Sequence, residues 1–360
     1  MSDRARRLQA ADYRGVFHLT GGGSLFLSEM LTTPGASGTV LDVRVPYAEA
    51  ALHQLLGKLS SGACSDATAR ALAMSAFMHA RTLSDQAVFG LGCTASLATD
   101  RDKRGAHRAH LALQTQTTTY SLQVVFSADR ATEETLLCDA LWGLCLILSG
   151  EPPSTAIRTT IAPDAWQDLV LGRQSAIATA QHDGRLLVPG SFNPLHDGHL
   201  QMIKIAERRT GQVAALELSI GNVDKPPLDY QEIGSRLIGI ANTLNRPVWL
   251  TRMPTFVEKT TRFPGATFVV GVDTIVRIAE GRYYANAEDR VAALEFFAEQ
   301  GTRFMVFGRT VEGEFKTLST LALPRTLADL CIRISEDEFR ADVSSTDIRI
   351  GTTPPPDSVP

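Results

Sequence analysis

Cysteine is scarce and scattered: Cys64, Cys93, Cys138, Cys145 and Cys331 are odd in number and never spaced as C-x-x-C. That pattern argues against a disulfide framework and a cysteine-built zinc site, and it predicts small core residues in a reducing compartment. An excess of one charge sign is also missing. A net charge of −4 over 360 residues gives no broad cationic footprint for nucleic acid, although a local pocket for a small anion stays open. No apolar run approaches the roughly 20 residues of a membrane-spanning helix. The basic start, MSDRARRLQAADYRG, lacks the apolar segment of a secretory signal. The expectation is a cytoplasmic protein with neither nucleic acid nor membrane as partner.

What is present suits packed cores: 44% apolar and 21% charged residues at a length comfortable for two domains. In the first half, "TGGGSLFLSEMLTTPG" predicts a glycine turn opening a helix that ends near Pro34-Gly35. "SDATARALAMSAFMHART" predicts a helix capped by Ser65, with Ala69, Leu72, Ala73, Ala76 and Phe77 on one face. "QAVFGLG" and "HRAHLALQT" read as strands, and "TEETLLCDALWGLCLILSG" as a helix with a capping box at Thr132. Periodicity then fades past Pro152-Pro153. From Arg185 strands and helices alternate, which predicts a parallel sheet with helices on both faces. The expected organisation is two α/β domains, 1–155 and 185–350, a linker or peripheral helix at 156–184, and a disordered tail at 351–360.

Three stretches of the second half carry chemistry. "GSFNPLHDGH" places Gly190, Ser191, Phe192, Asn193, His196, Gly198 and His199 on the turn after a buried strand. Such a turn is an accidental surface feature, a phosphate site built on helix N–H groups, or, with less support, a zinc site lacking its remaining ligands. "VSSTDIR" sets Ser344, Ser345 and Thr346 at a helix start with Arg349 one turn in, either a plain cap or an anion site. "VVGVD" ends a strand in Gly271 and Asp273, suited to a ribose hydroxyl or an amide, or to capping a helix.

Together the three resemble the nucleotidylyltransferase superfamily, and within it the pyridine-nucleotide adenylyltransferases. The family's G-x-F-x-P-x-H-x-G-H is matched by Gly190, Phe192, Pro194, His196, Gly198 and His199, and its I-S-S-T-x-I-R by Val343 through Arg349. The resemblance implies a doubly wound, Rossmann-like domain in which an acceptor phosphate attacks the α-phosphate of a nucleoside triphosphate and pyrophosphate leaves. No protein nucleophile is needed, so catalysis is positioning and charge stabilisation. It implies His196, His199 and Arg349 as catalytic, with Gly190, Ser191, Phe192, Asn193, Gly198, Ser344, Ser345 and Thr346 on the nucleotide. Lys225, Arg236, Gly271 and Asp273 fall to the acceptor, and Mg²⁺ arrives with the triphosphate rather than on a protein metal site.

In the first half, Thr20-Gly21-Gly22, Pro34-Gly35-Ala36-Ser37, Pro46-Tyr47 and Leu55 to Gly57 resemble the CinA C-terminal family, the nicotinamide-nucleotide amidases. The departures are chemical. His18 stands where that family's S-x-T-G-G has its nucleophilic serine, Leu52 where a lysine is expected, and Gly92 to Ser96 replace the glycine-rich loop. A hydrolase needing an activated hydroxyl cannot use His18 so. Cys93 or Ser24 would have to substitute, and the domain is expected to be inactive, a scaffold for a homo-oligomer. The paired resemblances imply AMP transfer from ATP to nicotinamide or nicotinate mononucleotide. The alternatives are CTP or a sugar or polyol phosphate acceptor, or a nucleotide-binding regulator without activity.

Overall fold

The computed structural model describes residues 3–57, 59, 62–100, 105–221, 226–311 and 314–340. The chain forms two compact units, Met1–Leu171 with Asp224–Ile233, and Gly172–Val223 with Gly234–Pro360. Both are α/β, as the alternation of strand and helix patterns predicts.

In the first unit the strands are β1 (Arg14–Thr20), β2 (Val40–Arg44), β3 (Val88–Ser96), β4 (His107–Gln114), β5 (Thr118–Phe126) and β6 (Arg158–Ile161). They form one sheet in the order β2-β1-β3-β4-β5-β6. The first three run parallel and the rest continue antiparallel. The helices are α1 (Asp3–Gln9), α2 (Ser24–Thr32), α3 (Glu49–Leu56), α4 (Asp66–Leu83), α5 (Arg130–Cys145) and α6 (Asp164–Leu171). Ser65 caps α4 by accepting from the Thr68 N–H at 3.2 Å, as predicted. The α4 backbone lies so close to β3 that a Cβ on Gly90 or Gly92 would fall 2.1 or 2.2 Å from the Ala73 or Ala69 carbonyl oxygen. Only glycine fits there.

The start of α5 differs from expectation. Asp129, not Thr132, is the cap, because its carboxylate accepts from the Ala131 and Thr132 N–H groups and from the Thr132 hydroxyl. The core of the unit joins Phe17 to Phe89 edge-on at 5.4 Å and Phe26 to Trp142 at 4.8 Å. Segment 229–233 belongs to this unit. Arg70, buried on α4, pairs with Asp229 at 2.5 Å and Glu232 at 3.3 Å, and the Tyr230 hydroxyl donates to the Gln116 carbonyl.

The second unit holds β7 (Ala176–Ala178), β8 (Leu186–Pro189), β9 (Ala215–Ser219), β10 (Val248–Thr251), β11 (Thr267–Gly271), β12 (Arg303–Phe307) and β15 (Cys331–Arg333), in the order β15-β12-β11-β8-β9-β10-β7. All neighbours are parallel except the short β7 on the edge. A hairpin of β13 (Arg309–Val311) and β14 (Glu314–Lys316) follows β12. Its helices are α7 (Asp197–Thr210), α8 (Tyr230–Thr243, from Gly234 onward), α9 (Phe256–Arg262), α10 (Val272–Ala279), α11 (Ala287–Glu299) and α12 (Arg325–Ala328). Gly211 ends α7 in the left-handed conformation, the C-terminal glycine expected there.

From β8 the chain builds outward through β9 and β10, then crosses back to lay β11 and β12 on the other side of β8. That reversal makes a switch point between β8 and β11, where doubly wound sheets open a crevice beyond their strand ends. Deep in the sheet the Glu217 carboxylate takes the Lys259 ammonium at 2.6 Å and the Thr251 hydroxyl. Removing either charge would strand the other away from water. Residues 156–184 thus carry β6, α6 and β7, with β6 paired to β5 and β7 to β10. Among the described residues no helix is long and apolar enough to cross a membrane.

Candidate active site

The turn from β8 to α7 holds the two histidines of "GSFNPLHDGH". Gly190 continues β8 by donating its N–H to the Glu217 carbonyl at 3.0 Å. Phe192 then takes a left-handed φ of 46°, a conformation costing a residue with a side chain about 1 kcal/mol or more. Its ring is buried, 3% exposed, and meets the His199 ring edge-on at 5.3 Å. Packing therefore holds the turn in a shape that local preference opposes. The Asn193–Pro194 peptide is cis.

His196 is the N-cap of α7 and makes no side-chain cap hydrogen bond, so the α7 N–H groups are not closed off by its ring. His199 follows in the first turn, and the two imidazoles lie with centroids 3.9 Å apart and planes tilted by 37°. Burial, then His196, then the Arg309 guanidinium push the His199 imidazole down to about 3. Near neutral pH that ring is uncharged and acts through hydrogen bonds. Its Nδ1 is buried with no hydrogen-bond partner among the described residues. An orphaned polar atom in such a turn points to a partner that is a ligand.

Asp273, beyond the end of β11, lies in the first turn of α10. The sequence runs strand through Asp273; the structure ends it at Gly271, which becomes the helix N-cap. A Cβ at Gly271 would sit 2.6 Å from an Asp273 carboxylate oxygen, so the glycine lets the carboxylate fold back over the strand end. Asp273 pairs with Arg309 at 3.3 Å and more loosely with Arg277 at 3.9 Å. Arg236 on α8 donates to the Ser191 carbonyl at 3.0 Å, which ties it to the histidine turn. Gly198 is buried in α7, and Ser191 and Asn193 lie on the same turn. Lys225, Ser344, Ser345, Thr346 and Arg349 lie outside the described residues.

Arg309 escapes the sequence reading. It is two residues past β12, and only the rule that ligands gather at the carboxyl ends of parallel strands would have singled it out.

The first unit has a cavity of about 320 Å³ lined by Thr20, Gly21, Tyr47, Cys64, Thr94, Ser96 and Arg130, among others. His18 does not line it. That ring is wholly buried, and burial, with Arg44 and His79, pushes it down to about 4, while the Leu72 carbonyl and Asp42 pull the other way. Among the described residues neither ring nitrogen finds a hydrogen bond of proper geometry. Neither Cys93 nor Ser24 reaches the cavity either. Cys93 is buried with its thiol pushed up by burial, and the Ser24 hydroxyl donates to Glu134 at 2.9 Å. A second cavity, about 490 Å³, lies among Val276, Ala279, Arg290 and Leu321 to Pro324, and no motif residue lines it.

The N-terminal part is similar to solved CinA superfamily structures. One from Escherichia coli is 15% identical over 42% of this chain and 94% of its own, with a TM-score of 0.34. One from Enterobacter cloacae is 17% identical over 40% and 87%, with a TM-score of 0.33. The competence/damage inducible protein CihA from Agrobacterium tumefaciens is 19% identical over 41% and 94%, again with a TM-score of 0.33. No curated protein matches. Residues 187–350 match the sequence model of the family described as Cytidylyltransferase-like, so the second half of the chain carries a domain of the nucleotidylyltransferase superfamily.

Proposed function

We propose that this domain transfers AMP from ATP to the phosphate of nicotinamide or nicotinate mononucleotide and releases pyrophosphate. The observation that carries the reading is the close His196–His199 pair, rings tilted at 37°, at the N-terminus of α7, beside the switch point between β8 and β11. Backbone N–H groups and the helix dipole draw the triphosphate there. The His199 ring, kept neutral, hydrogen-bonds the phosphate that changes hands, and in-line attack by the acceptor phosphate needs only that both substrates be held. Arg236, anchored on Ser191, and Asp273 face the acceptor in this reading, and Ser344, Ser345, Thr346 and Arg349 hold the leaving pyrophosphate.

The described residues include no group of three or more His, Cys, Asp or Glu able to hold a metal ion. In this reading Mg²⁺ would come with the triphosphate, carried mainly on phosphate oxygens. When bound, the ion would neutralise phosphate charge.

The test is pyrophosphate release over a matrix of ATP and CTP against the two mononucleotides, a polyol phosphate and a sugar phosphate. Release is expected with ATP and a mononucleotide. Release with CTP and a polyol phosphate would replace that pair, and silence across the matrix would sink the transferase reading.

A further inference from the structure

His199 donates hydrogen bonds but brings no charge, whereas the transferred phosphate gathers negative charge as the reaction proceeds. A preorganised cation belongs at that point. We propose that Arg309 is that cation, its guanidinium contacting the transferred phosphate, with Asp273 as the residue that positions it. This rests on the transferase reading above.

The placement follows from the sheet. Gly271 and Phe307 are paired residues of β11 and β12. Asp273 and Arg309 each lie two residues beyond that rung, on the carboxyl side, and they meet at 3.3 Å. β11 lies between β12 and β8, whose end carries the histidines. The Arg309 guanidinium is near enough to His199 to help hold its imidazole down. Its side chain is 43% exposed, so a ligand can reach it. A guanidinium has five donors in a fixed fork, and one contact to Asp273 leaves others for phosphate oxygens. Anchoring at the base of the β13–β14 hairpin, opposite Lys316, limits how far the side chain strays. Asp273 then has a second duty beside any acceptor contact: it aims Arg309 before substrate arrives.

Arg309→Gln is expected to lower turnover roughly 10²-fold, and Arg309→Lys to recover part of it, because charge is kept and the fork is lost. Asp273→Asn lowers turnover by a smaller factor. Followed by NMR, the His199 titration moves upward in Arg309→Gln, a shift that a merely structural arginine away from the histidines would not give. Calorimetry with inorganic tripolyphosphate separates this proposal from the identity of the substrates: it binds wild type and binds Arg309→Gln about 10-fold more weakly. Tripolyphosphate that binds both alike or neither, or a His199 titration that stays put, overturns the assignment to Arg309. Silence in the substrate matrix with tripolyphosphate binding lost in the variant overturns the transferase reading and leaves Arg309 as a phosphate contact.

Discussion

His18 in the first unit and His199 in the second are both held far below the usual imidazole range, at about 4 and about 3. Their surroundings differ. His18 lies inside β1, six of whose seven residues are buried, with Arg44, the Leu72 carbonyl of α4, Asp42 and His79 around it. His199 lies in the first turn of a helix, against His196 beyond a strand end. A depressed pKa alone therefore does not mark a functional histidine. Position on the element does: a strand interior closes both ring nitrogens in, and a helix start turns the ring toward the place where anions collect.

The largest expected effect is on acid stability. His18 is neutral when folded down to about pH 4, whereas an unfolded imidazole takes a proton near 6.5. Between those values the unfolded chain binds the extra proton, so stability rises with pH there. The contribution is complete above pH 6.5, is lost as pH falls toward 4, and is flat below. Over that window it is worth about 3 kcal/mol. Many carboxylates also titrate in acid, so the measurement is a difference: denaturant midpoints of wild type and His18→Leu from pH 7 to 4. The gap between them should widen in favour of the variant as pH falls. Parallel curves would mean that His18 is reached by water or a partner and is not the closed-in ring described above.

The second effect is on rate. His199→Ala should lower turnover by roughly 10², with melting barely moved. His18→Leu should leave the rate alone. A His199→Ala protein that turns over normally but melts early would make the two histidines the same kind of residue, and the site would have to move.

How much of this was legible in the sequence depends on how far apart the residues of a feature lie. The histidine turn is ten consecutive residues, and its place after a buried strand is visible in "RLLVPG". The α/β alternation of the second half reads directly, since helices and strands there keep distinct periods. β1 is not singled out, because a strand buried almost throughout shows no alternation. Asp273 was found, although its helix was not. Arg309 stays hidden because it is 110 residues from His199 and meets the site only through the order of β12, β11 and β8. Whether His18 lines the cavity or lies under α4 is equally non-local: Thr20 two residues on does line it.

The smallest expected effect concerns that cavity. We propose that the first unit performs no amide hydrolysis, because none of the three candidate nucleophile positions offers an activated group at the cavity wall. His18 is buried and lacks a hydroxyl. Cys93 is buried with its thiol held protonated, and the Ser24 hydroxyl is engaged with Glu134, which also takes the N–H groups of Gly23 and Leu25. Glu134 is thus occupied at the start of α2, and a serine that donates to a carboxylate already satisfied by backbone gains little nucleophilicity. Nicotinamide mononucleotide incubated with the purified protein should release no ammonia above the buffer control. Ammonia release that vanishes in Ser24→Ala would show that Glu134 acts as a base for Ser24. Release that vanishes only in Cys64→Ala would move the chemistry to a wall of the cavity that the family comparison did not suggest, and in either case the first unit would join the second as a site of chemistry.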